Sequence, residues 1–367
     1  MTQREREILR WIEADPMISQ QELAERAGIT RSSVGVHISN LIKKGCIAGR
    51  GYILPRGEYA VVVGAVNVDI GGRPDGKLVP ADSNPGRVRM SLGGVGRNIA
   101  HNLALLGVDT RLITAFGDDA NAERITASCT ALGIDISRSL RVPGEATSTY
   151  LYIADADGEM AAAVSDMGIY ERMTSAEMIS RRDFIDSARA LVLDANIPAE
   201  TVEWLCTHTT APIFADPVST VKAEKLRCVL DRLHTLKPNR LEAEVLTGVA
   251  IRDDRSLHRA ADALLSAGVG RVFLSLGPEG VLAADANERF LLPSRPERIV
   301  GTTGCGDAFM AGLVWAYMNS ADLRGSALAG LAAACIAMES EETVNPLLCR
   351  EELCRRVAAQ NEVGINS

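Results

Sequence analysis

What most restricts the folds open to this 367-residue chain is an alternation that starts near residue 58 and continues almost to the carboxyl end. Short apolar runs recur: EYAVVVGAVNVDI at 58–70, TRLITAFGD at 110–118, ARALVLDAN at 188–196, APIFADP at 211–217, HTLKP at 234–238 and RVFLSLG at 271–277. Helix-like stretches such as NIAHNLALLG at 98–107 separate them. Strand and helix in turn specify a mainly parallel sheet with helices on both faces, a three-layer α/β sandwich. Two segments break the rhythm. Residues 76–94 and 147–166 read as extended, polar-alternating strands with turn signals, which predicts a small β flap. Ligands of open α/β sheets sit beyond the carboxyl ends of the strands, so the flap would cover that crevice.

One core rarely grows past about 250–300 residues, so this length leaves room for a second, smaller module. Residues 1–56 carry nine Lys/Arg and six Asp/Glu, a balance of +3; the overall totals of 39 and 47 leave 30 and 41, or −11, for the rest. Only the front end could favour a polyanion. There, REREILRWIEADP at 4–16 sets Ile8, Leu9, Trp11 and Ile12 on one helical face, with Pro16 to close it. Ser19 and Glu22 form a capping box for a second helix that Gly28 ends. Thr30 caps a third, 31–45, with Val34, Ile38, Leu41 and Ile42 at helical spacing. Three such helices and a hairpin from IAGRGYIL at 47–54 resemble the winged helix-turn-helix modules of bacterial regulators. The resemblance implies that Arg31, Ser32, Ser33 and His37 face a DNA major groove. A three-helix unit that only packs on the main domain or on a second subunit would read the same way.

No run of about 18 uncharged apolar residues occurs, and MTQREREILR has charges where a secretion signal needs an apolar core. A cytoplasmic protein without a membrane partner is expected. The eight cysteines are scattered, with no C-x-x-C pair, and read as buried or idle thiols.

Towards the carboxyl end, GTTGCGDAFMAGLVWAYM at 301–318 runs from a glycine loop into a long apolar helix, with Asp307 at the junction. Amides of Gly304, Cys305 and Gly306 at a helix start would converge on one spot, an anion hole with the helix dipole behind it. A carboxylate there repels phosphate unless it takes a proton from an attacking hydroxyl, as the general base of phosphoryl transfer does. A plain helix cap is the other use of such an aspartate.

Four more motifs, GAVNVD at 64–69, GGVGRNIA at 93–100, KPNRLE at 237–242 and SLGPEG at 275–280, stand with GTTGCGDAF in the order and spacing of the ribokinase-like (PfkB) kinases. The resemblance covers roughly residues 58–360. It implies the flap-bearing ribokinase-like fold and ATP-dependent phosphorylation of an alcohol, with Asp307 as base. By the same resemblance Asn67 and Asp69 bind sugar hydroxyls, Gly93 and Gly94 let the backbone approach the sugar, and Asn98 hydrogen-bonds it. Lys237, Asn239, Ser275, Gly277, Gly280, Thr303, Gly304 and Gly306 fall at the nucleotide, and Asn239 with Glu242 organises Mg²⁺ and its waters. The family loop usually opens D-T-x-G-A-G-D. Here Gly301 stands where that first aspartate helps to hold a monovalent cation in several relatives, which leaves potassium dependence open.

Further pieces, DSNPG at 82–86, PGEATSTYL at 143–151, SDM at 165–167 and HTLKPNRLEAE at 234–244, resemble the bacterial pseudouridine kinases. They imply phosphorylation of the 5′-hydroxyl of pseudouridine and a homodimer formed through the flap. Ser83, Asn84, Thr147, Ser148 and Asp166 are the flap side chains expected to read the base, Asp166 first and Asn84 second. Another nucleoside or a free sugar as substrate stays open, and so does a DNA-bound regulator that uses the domain as a ligand sensor.

Overall fold

The structure, a computed structural model, describes residues 1–15, 18–44, 46–47, 57–155, 157 and 159–364. It divides into two compact units, 1–57 and 58–367.

In the first unit, helices span Gln3–Ala14, Gln20–Ala27 and Arg31–Lys43. Their starts are set by hydroxyls: Thr2, Ser19 and Thr30 each accept a backbone amide three residues on, and Glu5 and Glu22 complete two capping boxes. Gly28, at φ 63°, ends the second helix in a left-handed turn. Ile8, Ile12, Leu23, Val34, Ile38 and Leu41 form the core, and Lys44 pairs with buried Glu5 at 2.6 Å, tying the third helix to the first. Ile42, expected on the inward face, is 48% exposed. Leu41 already completes the stripe from Val34 through Ile38, and the next residue lies about 100° further round the helix. Pro16, Gly45 and the hairpin positions 48–54 lie outside the described residues.

Among the described residues the second unit is built on fourteen strands. These are β1 Gly57–Val63, β2 Asn67–Pro74, β3 Gly86–Gly93, β4 Asp109–Ile113, β5 Ala115–Phe116, β6 Leu140–Arg141 and β7 Thr149–Ala154. They continue with β8 Met160–Asp166, β9 Ala188–Asp194, β10 Ile213–Asp216, β11 Thr235–Leu236, β12 Arg271–Ser275, β13 Val281–Ala284 and β14 Arg289–Leu292. Eight of them form the main sheet in the order β14-β13-β12-β11-β10-β9-β1-β4. Pairing is parallel from β9 through β12 and between β1 and β4, and antiparallel where β13 and β14 complete the edge. The strands read as continuous apolar runs because both faces are covered: Val61 and Val63 enter one buried layer, Ala60 and Val62 the other.

EYAVVVGAVNVDI is not one strand. The chain leaves the main sheet after Val63 and re-enters a strand at Asn67, now in the flap. Gly64 marks the break, since a β-carbon there would overlap the carboxylate of Asp194. The flap therefore begins at Asn67 rather than at 76, and residues between Pro74 and Gly86 connect β2 to β3. Its strand order is β3-β2-β7-β8. Register fixes its two faces, because alternate residues of a strand point opposite ways. One cross-strand row is Ser91, Asp69, Tyr150 and Ser165; the next is Met90, Ile70, Leu151 and Val164. The first belongs to a polar face. The second belongs to an apolar face on which Val88, Met90, Leu151, Ile153 and Val164 are 40–71% exposed.

Asp194, at the end of β9 and fully buried, fastens this junction. One of its oxygens accepts the amides of Ala65 and Gly96, both at 2.8 Å, and the other accepts the amide of Asn196 at 2.9 Å. Asp194→Ala leaves those buried amides without an acceptor and should destabilise the second unit by on the order of 3 kcal/mol. Urea unfolding of the variant measures it; a loss below about 1 kcal/mol would contradict the role given to this carboxylate.

Candidate active site

The carboxyl ends of the central strands bring a set of charged groups together. Asp194 ends β9, Asp216 ends β10, Lys237 and Asn239 follow β11, and Ser275 ends β12. The helix Cys305–Met318 starts at the same place, preceded by Gly304 at φ 83°. A side chain at Gly304 would strike the carbonyl of Thr343, so only glycine permits this turn.

The helix begins at Cys305, two residues before the expected start, and the amide of Cys305 turns back to Thr302 O at 3.4 Å. The first i→i−4 bond runs from Ala308 to Gly304 O, so the amides of Gly306 and Asp307 precede the helix's own ladder and are placed for an anion. Gly306 also lets Lys237 approach: its missing β-carbon would stand 3.4 Å from Nζ. Lys237 is buried against Asp216 at 3.1 Å. Asp307 is buried and accepts a hydrogen bond from Asn98 Nδ2 at 2.8 Å. Burial and then the Asp216 charge push its carboxyl up to about 8, with Asp194 adding to the shift, while the Asn98 bond and Lys237 oppose it. A carboxyl poised near neutrality at the head of a helix, beside amides outside its ladder, suits proton transfer from an alcohol.

On the flap's polar face, Asn67 donates to Asp69 at 2.5 Å, and Gly93 lies so close that a β-carbon would overlap the Asp69 carboxylate. Burial lifts Asp69 to about 6 against the opposing Asn67 bond and the charge of Arg97. Gly94, at φ 95°, begins the helix Val95–Leu105 that carries Asn98. Arg89 on this face comes within 3.8 Å of Glu341, beyond the glycine loop at 301–306, so the polar face looks across the crevice.

Asn239 and Glu242 cap each other: the Asn239 side chain accepts the Glu242 amide at 2.9 Å, and the Glu242 carboxylate accepts the Asn239 amide at 2.8 Å. Burial raises the Glu242 carboxyl, and Asn239 and Lys237 pull it down. Among the described residues no three His, Cys, Asp or Glu stand close enough to cage a metal. One buried carboxylate and one amide fit a cation that keeps most of its waters, as Mg²⁺ does. Ser275 is tied to the same turn through Pro238 O, at 2.9 Å from its amide and 3.3 Å from its hydroxyl. Gly277 and Gly280 have φ of 63° and 105°, and Thr303 is exposed in the loop.

The expected base-reading residues do not gather at Asp69. Ser83 and Asn84 lie in the connection at the outer end of β2, roughly 15 Å along the strand at about 3.3 Å per residue. The Asn84 amide is engaged there with Val79 and Asp82. Thr147 is buried, donating to Asp119 and accepting from Gly117, and Ser148 is buried beside it. Asp166 pairs with Thr149 in the row next to Asp69's and so falls on the opposite face. Alternation puts Ser165 and Tyr150 where Asp166 was expected. Asp194 and Asp216 were also missed, although each closes an apolar run, in ALVLD and IFAD, as a strand-end carboxylate does.

Residues 58–348 match the pfkB family carbohydrate kinases, and residues 1–48 match winged helix-turn-helix DNA-binding modules. The chain is 40% identical to the Uncharacterized sugar kinase YeiI of Escherichia coli, over 95% of this chain and 97% of that protein. It is 37% identical to the Pseudouridine kinase of Escherichia coli, over 79% of this chain and 93% of the other. A carbohydrate kinase structure from Agrobacterium tumefaciens superposes with a TM-score of 0.73 at 28% identity, covering 82% of this chain and 97% of that one. No helix among the described residues is long and apolar enough to cross a membrane.

The electrostatics give a direct test. The Asp307 carboxyl should titrate near 8 by carbon-13 NMR. Replacing either group that stabilises its charged form, by Asn98→Leu or Lys237→Met, should move the midpoint higher still. A midpoint in the ordinary carboxylate range near 4 would contradict the buried site.

Proposed function

Since this chain belongs to the pfkB family of carbohydrate kinases, we propose that it transfers the terminal phosphate of ATP to the 5′-hydroxyl of pseudouridine. The observation that carries the chemistry is Asp307, buried at the head of a helix, hydrogen-bonded by Asn98 and flanked by Lys237. Asp69, held by Asn67, binds the ribose hydroxyls, and Gly93 lets the sugar ring come close. Asp307 accepts the proton of the attacking hydroxyl as its oxygen bonds to the terminal phosphorus of ATP and the bond from that phosphorus to the bridging oxygen breaks, releasing ADP. The amides of Gly306 and Asp307 and the Lys237 ammonium stabilise charge on the phosphate oxygens. Asn239 and Glu242 would hold a hydrated Mg²⁺, which supplies charge neutralisation at the phosphates. Replacing the base by Asp307→Asn should lower kcat by about 10²–10⁴ with ATP binding nearly unchanged. Retention of more than about a tenth of the activity would remove Asp307 from that role.

Pseudouridine is favoured over other alcohols by the motifs of the flap and by the relative that carries this name. It differs from uridine in offering a free N1–H, and an acceptor placed for it is left unpaired by uridine, at about 1–3 kcal/mol. Ser165 and Tyr150 share Asp69's face and take the reading role first expected of Asp166. A screen of ATP consumption with pseudouridine, uridine, inosine, ribose and fructose should show a preference of roughly 10–200-fold in kcat/KM for pseudouridine over uridine. Equal rates on the two, or a preference for ribose, would sink the pseudouridine assignment and leave the kinase standing.

The exposed apolar face of the flap fits a second copy of this chain, and the protein is proposed to act as a cytoplasmic homodimer. Leu151→Asp with Val164→Asp should yield monomers by light scattering; an unchanged mass would exclude this face. For the front unit the match to DNA-binding modules favours a second role. Arg31 and Ser32 are exposed and Ser33 and His37 partly so on its third helix, the surface proposed to meet DNA. Retardation of DNA from upstream of its own coding sequence should weaken steeply as salt rises. No retardation at low salt would confine the unit to protein contacts.

A further inference from the structure

Arg97 is 7% exposed, yet the three acceptors of its guanidinium are neutral: Leu92 O at 2.9 Å, Asn98 Oδ1 at 3.3 Å and Ser128 Oγ at 3.3 Å. A buried charge without a carboxylate at hydrogen-bond distance is unfavourable, so packing alone does not account for an arginine here. Its position does. A guanidinium can only donate, whereas an asparagine amide has one accepting and one donating end. The Asn98 atom that faces Arg97 must therefore be the oxygen, which leaves Nδ2 to face Asp307, where it donates at 2.8 Å.

We propose that Arg97 is a positioning residue for the base: it locks the Asn98 amide with its NH₂ group on Asp307, and through Leu92 O it ties that orientation to the root of the flap. Without it the amide is free to turn its oxygen towards the carboxylate. The proposal rests on the kinase reading given above.

Asp307 is also faced by Asp216, Lys237, Asp194 and Cys305, and Arg97 by Asp69, Cys129 and His101. None of these depends on which way the Asn98 amide is turned, so the orientation can be read separately. In steady-state assays with the best substrate of the screen, Arg97→Gln should lower kcat by about 10–100-fold without changing KM for ATP. The acid limb of kcat should move up by about 1 pH unit, because Asp307 loses a donor to its charged form. Arg97→Lys, which also only donates, should keep the limb in place. Because Arg97 acts through Asn98, the double variant Arg97→Gln, Asn98→Leu should lose little more than Asn98→Leu alone. Should Arg97→Gln not fold, Arg97→Met takes its place, filling a similar volume without a charge. A folded variant with an unmoved limb, equal behaviour of the Lys and Gln variants, or additive losses would overturn the proposal. An unmodified protein that phosphorylates nothing in the screen would sink the kinase reading instead.

Discussion

The second unit depends on a carboxylate in its interior. Asp194 gathers amides from the end of β1, from the start of the helix Val95–Leu105 and from its own turn, and so holds three segments far apart in sequence at one point. The demand for close approach explains two glycines at once: a β-carbon at Gly64 would overlap the Asp194 carboxylate, and one at Gly96 would overlap the backbone of Gly64. Once the chain is pinned there, β2 can leave the main sheet without losing its footing. The flap and the helix that bears Asn98 then rise from a common base.

Around that base the charges are unbalanced. Asp216, Asp307 and Glu242 are buried around Lys237, Asp194 is buried beside Asp216 and faces Lys222 and Lys225, and burial raises the carboxyl groups of Asp194, Asp307 and Glu242. Such an arrangement costs stability by itself, as perturbed carboxyl groups at functional sites do. A hydrated cation at Asn239 and Glu242 would offset negative charge, and the amides at the start of the helix Cys305–Met318 would receive the phosphate. The same crowding brings a carboxyl into the neutral range, where it can take a proton and pass it on.

The flap shows how far a strand pattern can be read. Its existence was visible in the polar-alternating segments near 76–94 and 147–166, because they break the strand and helix rhythm. Its first strand was not. VNVD looks like the tail of the run before it, and only the strand pairing, with Gly64 pressed on Asp194 at the break, shows that the chain changes sheets there. Asp166 was misplaced for a related reason. In a strand a shift of one residue exchanges the faces, so a nearby carboxylate is no guide until the partner strand fixes the register.

The amino-acid sequence by itself determined most of the elements and the candidate base. Apolar periodicity set the sheet and its helices, capping residues set the helix starts, and the glycines of GTTGCGD announced a tight turn into a helix with Asp307 in its first turn. These are local properties, carried by residues within a turn or two of one another. Only the tertiary structure decided which distant side chains meet. Asn98 reaches Asp307, Lys237 reaches Asp216 and Arg97 reaches Ser128 through the folding of separate segments onto one end of the sheet. The perturbed carboxyls follow from that burial, since a desolvated charge is a property of its surroundings and not of its sequence neighbours.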